Sequence, residues 1–392
     1  MGWSVDQRLG LARHQASLSY KGYTLVVPLG GDAVYLLDMD GRFVHRWRFD
    51  GFRPHKGELL DNGNLLVMGL DTTLQPNDPP PEVGADPEPF EKRIRRLGAN
   101  CSAIREVDWD GATVWEHLDP AMHHDFKLTA AGNLIFPVWV EMPADLTKAV
   151  RGGTRFPREK LPAMLGDDLV EVDRDGNEVR RLETWQRYDP RRDPICPLEP
   201  RIEWTHINSV DVNEAGDIVV SCRNNSRVSI FDRTGEMTWN YGAPDTAHQH
   251  HATFLPNGNV QIFDNGMHRV RALSTSKVIE VDPTTDEVVW SYEGSPPEQF
   301  FSGHISGATR LPNDNTLVCE GTSGRLFEIT RSGETVWEWW NPISNPRPQG
   351  RPVRWLFRGY RYGPDHPGLA GRTLDPTALA SLDRLNGLNG LN

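Results

Sequence analysis

The feature of this sequence that most constrains its fold is an internal repeat. One unit consists of a strand, a turn built on Asp and Gly, and a second strand that carries a Trp in most copies; VYLLDMDGRFVHRW is the first. Alternating apolar and polar residues on both sides of such a turn are typical of a β-hairpin. The unit occurs six times, at 34–47, 103–117, 169–182, 228–241, 278–292 and 326–340.

A second hairpin unit lies between these copies. It begins with a histidine and ends in a turn and an apolar strand, as in HKGELLDNGNLLVM. We assign it to 55–68, 124–137, 206–220, 250–263 and 304–318, and a sixth copy without the histidine to 23–31. Alternation of the two units gives six four-stranded sheets, and stacking such sheets radially buries the faces that each leaves open. The repeat therefore predicts an all-β, six-bladed β-propeller, whereas a β-sandwich would not explain the alternation.

We expect one propeller domain over residues 1–392, with a core from about 20 to 362 and a C-terminal tail at 363–392. The chain after Pro342 is expected to close the ring against the N-terminal strand. The Trp residues, of which the chain has 13, should pack between neighbouring sheets.

Three segments interrupt the repeat, and long loops inside a compact fold are usually functional lids or disordered. We expect them to lie over one face and shape a pocket, with some helix in the second. They are residues 72–98, 143–166 and 186–202.

The overall charge excludes some classes of partner. The net charge is −12, whereas a nucleic-acid binder needs a basic surface. No apolar stretch reaches the length of a membrane span or a signal peptide. The four cysteines show no CxxC pair, which is typical of reduced thiols. The sequence thus predicts a cytoplasmic protein that acts on a small molecule and binds neither nucleic acid nor membrane.

The histidines of the second unit share one register. Three precede the turn Gly by eight residues, and two precede the equivalent turn position by ten. Each should therefore begin the innermost strand of a blade, which lines the central channel of a propeller. Fold maintenance does not need imidazole there, so we expect a joint functional site at the channel mouth. The five are His55, His124, His206, His250 and His304.

Other polar residues are expected near the same rim. Asn208 shares a strand face with His206, and Arg223 ends the second strand of that blade. Asp264 and Asn265 occupy the corresponding place one blade later. Histidines beside one Arg, without clustered carboxylates, suit an anionic ligand or transferring group. An aromatic or anionic small molecule is the expected substrate.

The remaining histidines are interpreted as structural. Side chains alternate along a strand, so His123 and His251, each next to a histidine in register, should point away from the site. His248, His268 and His366 follow no register.

The segments that carry these residues resemble one known family. WTHINSVDVNEAGDIVVSCR (204–223), QHHATFLPNGNVQIFDNG (249–266) and HHDFKLTAAGNLIFP (123–137) are similar to segments of the bacterial arylsulfate sulfotransferases, which are six-bladed propellers. The resemblance runs from about Gly30 to Tyr362. An H-x-N followed about fifteen residues later by S-x-R is its most specific part.

The resemblance implies sulfuryl transfer from one phenolic ester to another phenol, without a nucleotide cofactor and through a sulfohistidine. The nucleophile would be His250, although the choice between His250 and His251 rests on register alone. His124 would assist at the phenol oxygen, and the sulfuryl oxygens would be held by His206, Asn208 and Arg223. His55, His304, Asp264 and Asn265 would contribute to substrate binding.

Two other functions remain open from the residues. Neutral imidazoles from separate blades are suitable ligands for one Fe, Cu, Ni or Zn ion, which would make the chain a metal-dependent lyase, hydrolase or oxidoreductase. The ligands would then be His55, His124, His206, His250 and His304. In the sulfuryl-transfer interpretation no metal or other cofactor is expected. The third possibility is a non-catalytic binding propeller.

Overall fold

The computed structural model describes residues 9–74, 89–154, 164–270, 272–346 and 351–383. Residues 75–88 and 155–163, inside two of the predicted loops, and the end of the tail at 384–392 lie outside the described residues. None of the helices within the described ranges is long and apolar enough to cross a membrane.

The first blades follow the predicted hairpins. The opening strand, β1, spans Gly10–His14. A meander of three strands comes next: β2 at Tyr23–Pro28, β3 at Ala33–Leu37 and β4 at Phe43–Arg48. A four-stranded sheet follows, in the order β5 (Phe52–Leu59), β6 (Leu65–Asp71), β7 (Ala103–Val107) and β8 (Thr113–Leu118). Helix α1, Phe90–Ile94, lies between β6 and β7.

The next blade carries the second inserted segment. Its strands, β9 (Lys127–Leu128), β10 (Leu134–Glu141), β12 (Leu165–Val172) and β13 (Glu178–Glu183), form one antiparallel sheet. Helix α2, Ala144–Ala149, lies in the segment that the sequence predicts to be partly helical. A short parallel pair outside the blade is formed by β11 (Gly152–Thr154) and β14 (Ile195–Pro200).

Two regular blades come next. One contains β15 (Ile207–Val212), β16 (Ile218–Cys222), β17 (Arg227–Phe231) and β18 (Met237–Gly242). The other contains β19 (His250–Phe254), β20 (Val260–Asp264), β21 (Lys277–Asp282) and β22 (Glu287–Glu293).

The C-terminal part completes the sheets begun at the N-terminus. The last blade consists of β23 (Gly307–Arg310), β24 (Thr316–Glu320), β25 (Arg325–Ile329) and β26 (Thr335–Trp340), and β1 adds to β26 as a fifth strand. The final strand, β27 (Leu356–Tyr362), pairs antiparallel with β2, as expected for ring closure. The sheet structure thus begins earlier than the predicted core start near residue 20.

Short helices complete the described structure. Helix α3 spans Ala380–Asp383. The 3-10 helices are Thr184–Arg187, Pro297–Gln299, Gly321–Ser323, Pro367–Leu369 and Pro376–Leu379. The fold is the predicted six-bladed β-propeller of four-stranded antiparallel sheets.

The chain forms two compact units. Unit A comprises Met1–Gly69, Ile104–Glu116 and Ile305–Asn392, and it holds the blades that contain β2, β5 and β23. Unit B comprises Leu70–Ala103 and His117–His304, and it holds the blades that contain β9, β15 and β19. That residues 1–392 act as one domain stays a prediction.

The repeated Asp explains the outer hairpin turns. The Oδ1 atom of Asp38 accepts the backbone N–H groups of Asp40 and Arg42, both at 2.9 Å. Gly41 between them has φ +75°, a conformation that only glycine adopts at low cost. The same carboxylate-to-backbone pattern recurs at Asp108, Asp173 and Asp232.

The inner hairpin turns are tied to their own blade by an Asn–Glu contact. The turn Asn donates to a Glu on the third strand of the same sheet at 2.7–2.8 Å. The pairs are Asn64–Glu106, Asn133–Glu171, Asn259–Glu280 and Asn315–Glu328. A Glu carboxylate, buried in three of the four blades, therefore fixes each of these turns.

The repeat Trp residues link neighbouring blades within each unit, as predicted. Trp337 and Trp339 on β26 donate through Nε1 to the carbonyls of Met39 and Gly41 in the β3–β4 turn. Trp239 on β18 donates to Asp286 in the turn of the next blade at 2.7 Å. Each indole thus buries its ring between two sheets and satisfies its N–H on a turn.

Candidate active site

His250 is held by groups that fix its tautomer. It is the first residue of β19 and is almost fully buried. Its Nδ1 atom lies 2.7 Å from Asn265 Oδ1 and 3.1 Å from the carbonyl oxygen of His248. Asn265 Nδ2 donates to the carbonyl of Ser302 at 2.7 Å, which orients the amide so that its oxygen faces the imidazole. Since both neighbours of Nδ1 are acceptors, Nδ1 carries the proton and the neutral ring has its lone pair on Nε2.

Gln249 fixes the backbone that presents His250. Its side chain is fully buried, and Nε2 donates to the carbonyls of Cys222 and Arg227, both at 2.9 Å. Its own carbonyl accepts from Asn208 Nδ2 at 2.8 Å. Asn208 lies on β15, as predicted from its spacing after His206, so this contact connects the two blades at the site.

His206 is paired with a buried carboxylate. Its Nδ1 atom lies 2.9 Å from Glu203 Oε2, which also accepts from Trp139 Nε1 at 3.0 Å. Burial raises the pKa of Glu203, but the charge and hydrogen bond of His206 outweigh it, so the pKa lies below its usual value. Glu203 is therefore a carboxylate, and His206 donates to it from Nδ1.

His124 lies against His206. Their ring centroids are 4.6 Å apart with the planes at 70°. His124 Nδ1 is 2.8 Å from Nδ1 of His123, and His123 Nε2 is 3.2 Å from Asp167 Oδ1. His123 therefore lies between the ring of His124 and the carboxylate of Asp167. His123 itself is fully buried and stacks on Trp139 at 4.3 Å.

Asp167 remains ionised although it is buried. Burial raises its pKa, but hydrogen bonds from His123, from the Thr205 hydroxyl at 2.5 Å and from the Ile207 N–H at 2.9 Å lower it below the usual value. This carboxylate thus anchors both His123 and the start of β15.

In all three histidines a described contact engages Nδ1: Glu203 at His206, Asn265 and a carbonyl at His250, and His123 at His124. The backbone at two of them has an uncommon conformation, with φ +59° at His124 and +55° at His206. Only His250 begins its strand; the other two lie just before β9 and β15. Non-glycine residues held in this region cluster at functional sites.

Arg223 is attached to the same blade. Its backbone N–H donates to the carbonyl of His206 at 3.1 Å, and Nη1 donates to Asn224 Oδ1 at 3.0 Å. Nη2 forms an ion pair with Glu199 Oε1 at 2.9 Å. The positive charge of Arg223, which was predicted to bind an anion, is therefore partly balanced by the Glu199 carboxylate.

Asp264 forms an internal ion pair with Arg269 and accepts the backbone N–H of Ala247 at 2.9 Å. Burial is the main reason that its pKa lies above the usual value. These contacts fold the loop after β20, and its part in substrate binding stays a prediction, as does that of Asn265.

The contacts described for the other two predicted histidines, His55 and His304, are with residues other than His124, His206 and His250. His55 lies within β5 in unit A, where its ring packs on Phe357 at a centroid distance of 4.0 Å. His304 precedes β23, and its carbonyl accepts from Ser302 Oγ at 3.1 Å. The described contacts bring together His124, His206 and, through Asn208, the chain at His250. That all five converge stays a prediction.

A different cluster contains possible metal ligands. The ligand atoms of Cys196, His248 and His268 lie within 4.8 Å of one another, and they form the one such group of three in the described part of the chain. Burial, and then the charges of Arg223, His268 and His206, lower the pKa of His248 to about 2. These two histidines follow no register in the repeat, so sequence reasoning missed the cluster.

Sequence reasoning also missed residues that hold the site histidines. Glu203 and Gln249 precede His206 and His250 by three residues and one, and only these short spacings signalled them. Asp167, on β12, is far in sequence from His123 and Ile207, which it contacts.

The comparison with protein families identifies the chain. A family model described as Arylsulfotransferase (ASST) matches residues 93–342. This chain belongs to the arylsulfotransferase family. The match spans well over half of the sequence and includes the blades of His124, His206 and His250, so the resemblance noted from the sequence is confirmed. The family places the protein among transferases that act on small aryl substrates.

One solved structure has a fold similar to that of this arylsulfotransferase-family chain, at low sequence identity. A protein of unknown function from Bacteroides caccae is 13% identical with a TM-score of 0.53, over 86% of this chain and 98% of that one. A streptogramin B lyase is 12% identical, with a TM-score of 0.45, and the match covers 84% of this chain and 86% of the lyase. Virginiamycin B lyase from Staphylococcus aureus is 11% identical over 87% and 88%, with a TM-score of 0.45. The first likeness concerns the fold alone, and the lower scores carry no argument. A comparison with curated proteins found no match.

Proposed function

We propose that this protein transfers a sulfuryl group from a phenolic sulfate ester to a second phenol through a covalent intermediate on His250. The observation that carries the proposal is the pair of acceptors at His250 Nδ1, Asn265 Oδ1 at 2.7 Å and the His248 carbonyl at 3.1 Å. They place the lone pair on Nε2, which is the state that a nucleophilic imidazole needs near neutral pH.

The first step forms an N–S bond and breaks an S–O bond. The Nε2 lone pair of His250 attacks the sulfur of the donor ester, and the electron pair of the S–O bond leaves with the phenolate. The ring keeps its proton on Nδ1 and becomes cationic. Asn265 Oδ1 and the His248 carbonyl offset that charge, because hydrogen bonds to a charged group are stronger than neutral ones.

The second step reverses the first with a new phenol. The acceptor loses its proton to a base, its oxygen attacks sulfur, and the N–S electron pair returns to His250. We assign the proton transfers to His124, whose ring lies 4.6 Å from that of His206 and is held at Nδ1 by His123.

The sulfuryl oxygens need donors that do not react. We assign this role to Arg223, which supplies a cation, and to His206, whose Nδ1 is held by the Glu203 carboxylate at 2.9 Å. Asn208, which donates from Nδ2 to the Gln249 carbonyl at 2.8 Å, is assigned to the same oxygens. No nucleotide takes part in this scheme.

The experiment measures release of 4-nitrophenol from 4-nitrophenyl sulfate with a phenol as acceptor. His250→Ala is expected to abolish turnover, whereas His251→Ala, its neighbour on β19, is the matched control and should retain it. Initial rates at varied donor and acceptor should give the parallel double-reciprocal lines of a ping-pong mechanism. Full activity in His250→Ala would overturn the proposal.

A further inference from the structure

A second cluster of reactive side chains lies beside the candidate active site. Cys196 Sγ is 3.5 Å from His268 Nδ1. Glu199 Oε1 lies 3.5 Å from His248 Nδ1 and 3.7 Å from His268 Nδ1. The four residues come from three separate parts of the chain: β14, the turn before β19 and the loop after β20.

His248 is the least expected member of this cluster. Its side chain is 2% exposed, and neither ring nitrogen makes a hydrogen bond within the described residues. A buried imidazole without hydrogen bonds is costly, since desolvation of its polar atoms is not compensated. Its backbone also has φ +55°, so the fold holds this ring in place against local preference.

We propose that Cys196, His248 and His268 bind one Zn²⁺ ion, with Glu199 as the fourth ligand. Ligands at Zn–N and Zn–S distances of about 2.0–2.3 Å in a tetrahedron lie about 3.3–3.6 Å from one another. Two of the three contacts, both 3.5 Å, lie in that range, and the third is 3.7 Å. The ligand atoms of Cys196, His248 and His268 all lie within 4.8 Å of one another, so small side-chain movements would bring them to tetrahedral separations. Thiolate, imidazole and carboxylate together are a typical zinc ligand set.

The charges at the site also suit a dication. The thiolate and the Glu199 carboxylate supply two negative charges for the ion. The cations nearby have other partners: Arg227 pairs with Asp193 at 2.8 Å, and Arg269 pairs with Asp264. Among the described residues, the positive charges outside the cluster that act on His248 are those of Arg223, which pairs with Glu199, and His206.

The ion would position Arg223. Glu199 Oε1 contacts Arg223 Nη2 at 2.9 Å, so a metal that fixes Glu199 also fixes the cation proposed to bind the sulfuryl group. This second effect rests on the proposed function, whereas zinc binding itself does not. The ligands are also different from the five histidines whose register suggested a metal in the channel.

The test measures metal binding by the full chain. Untagged protein is stripped with a chelator and titrated with Zn²⁺ and with Co²⁺, and bound metal is measured by elemental mass spectrometry. We expect one equivalent per chain, with a thiolate-to-cobalt charge-transfer band for Co²⁺. Cys196→Ser, which nearly preserves shape, should abolish that band, and His268→Ala should weaken Zn²⁺ binding by more than about 100-fold, beyond the loss typical of outer-shell partners.

Two controls keep the outcomes distinct. His206→Ala should bind Zn²⁺ like the wild type, and loss of metal there would point to the channel histidines instead and overturn the proposal. His250→Ala should lose sulfuryl transfer and keep the metal. Absence of stoichiometric binding to the wild type, or unchanged binding in Cys196→Ser and His268→Ala with folding confirmed by circular dichroism, would also overturn the proposal.

Discussion

Replacement of Asn265 by Ala is expected to slow formation of the covalent intermediate without abolishing it. His250 Nδ1 has two acceptors, and the variant removes the closer one at 2.7 Å while the His248 carbonyl at 3.1 Å remains. One hydrogen bond to a ring that becomes cationic contributes about 1.5–3 kcal/mol. At about 1.36 kcal/mol per factor of ten, the rate should fall roughly 10- to 150-fold.

The assay is the pre-steady-state burst of 4-nitrophenol, which reports the first transfer alone. Asn265 acts through His250, so the burst rate should fall while KM for the donor changes little. Ser276→Ala is the matched control, because Ser276 Oγ donates to the Asn265 carbonyl at 3.0 Å and accepts from Ser302 N–H at 2.9 Å without contacting the imidazole. A wild-type burst in Asn265→Ala, or an equal loss in Ser276→Ala, would refute the reasoning.

Two further predictions concern stability. Glu328→Ala leaves Arg361 without its partner at 2.6 Å, where both side chains are fully buried, and should lower the free energy of unfolding by about 3–5 kcal/mol in urea denaturation. Glu334, which is half-exposed, serves as the control: Glu334→Ala should change the free energy of unfolding by less than about 0.5 kcal/mol. Equal losses in Glu328→Ala and Glu334→Ala would contradict this account. Asp167 and Glu203 have lower pKa values in the folded protein than their usual values of 3.8 and 4.5. As the pH falls below those usual values, the unfolded chain binds more protons than the folded one, so the free energy of unfolding should decrease as the solution becomes more acidic. Urea midpoints of Asp167→Asn should fall less steeply with acid than those of the wild type, and an identical slope would show that this carboxylate is not responsible.

The repeat made the fold predictable because each of its signals is local. The Asp–Gly turns and the alternating strands need only neighbouring residues to form, so twelve hairpins could be placed without any tertiary information. The pairing of β1 with β26 was not predicted, because β1 has no turn of its own and its partner lies at the other end of the chain.

The site was predictable in part for the same reason. The histidine register depends on the repeat, and it pointed to His124, His206 and His250. The orientation of their rings depends on partners that tertiary structure brings in, such as Asn265 beside His250 and Asp167, on β12, behind His123.

The proposed zinc ligands could not be predicted from the sequence at all. Cys196, on β14, and His248 and His268, in a turn and a loop, follow no common period, so nothing in their spacing indicated that they meet.

The measurement that tests the central claim most directly is identification of the sulfated residue. The protein is incubated with 4-nitrophenyl sulfate without an acceptor, quenched in alkaline denaturant, digested and analysed by mass spectrometry. The account predicts one added SO₃ group on His250, retained in His251→Ala, absent in His250→Ala and lost when phenol is added before the quench. A burst of 4-nitrophenol with no modified histidine, or with the group on another residue, would contradict it.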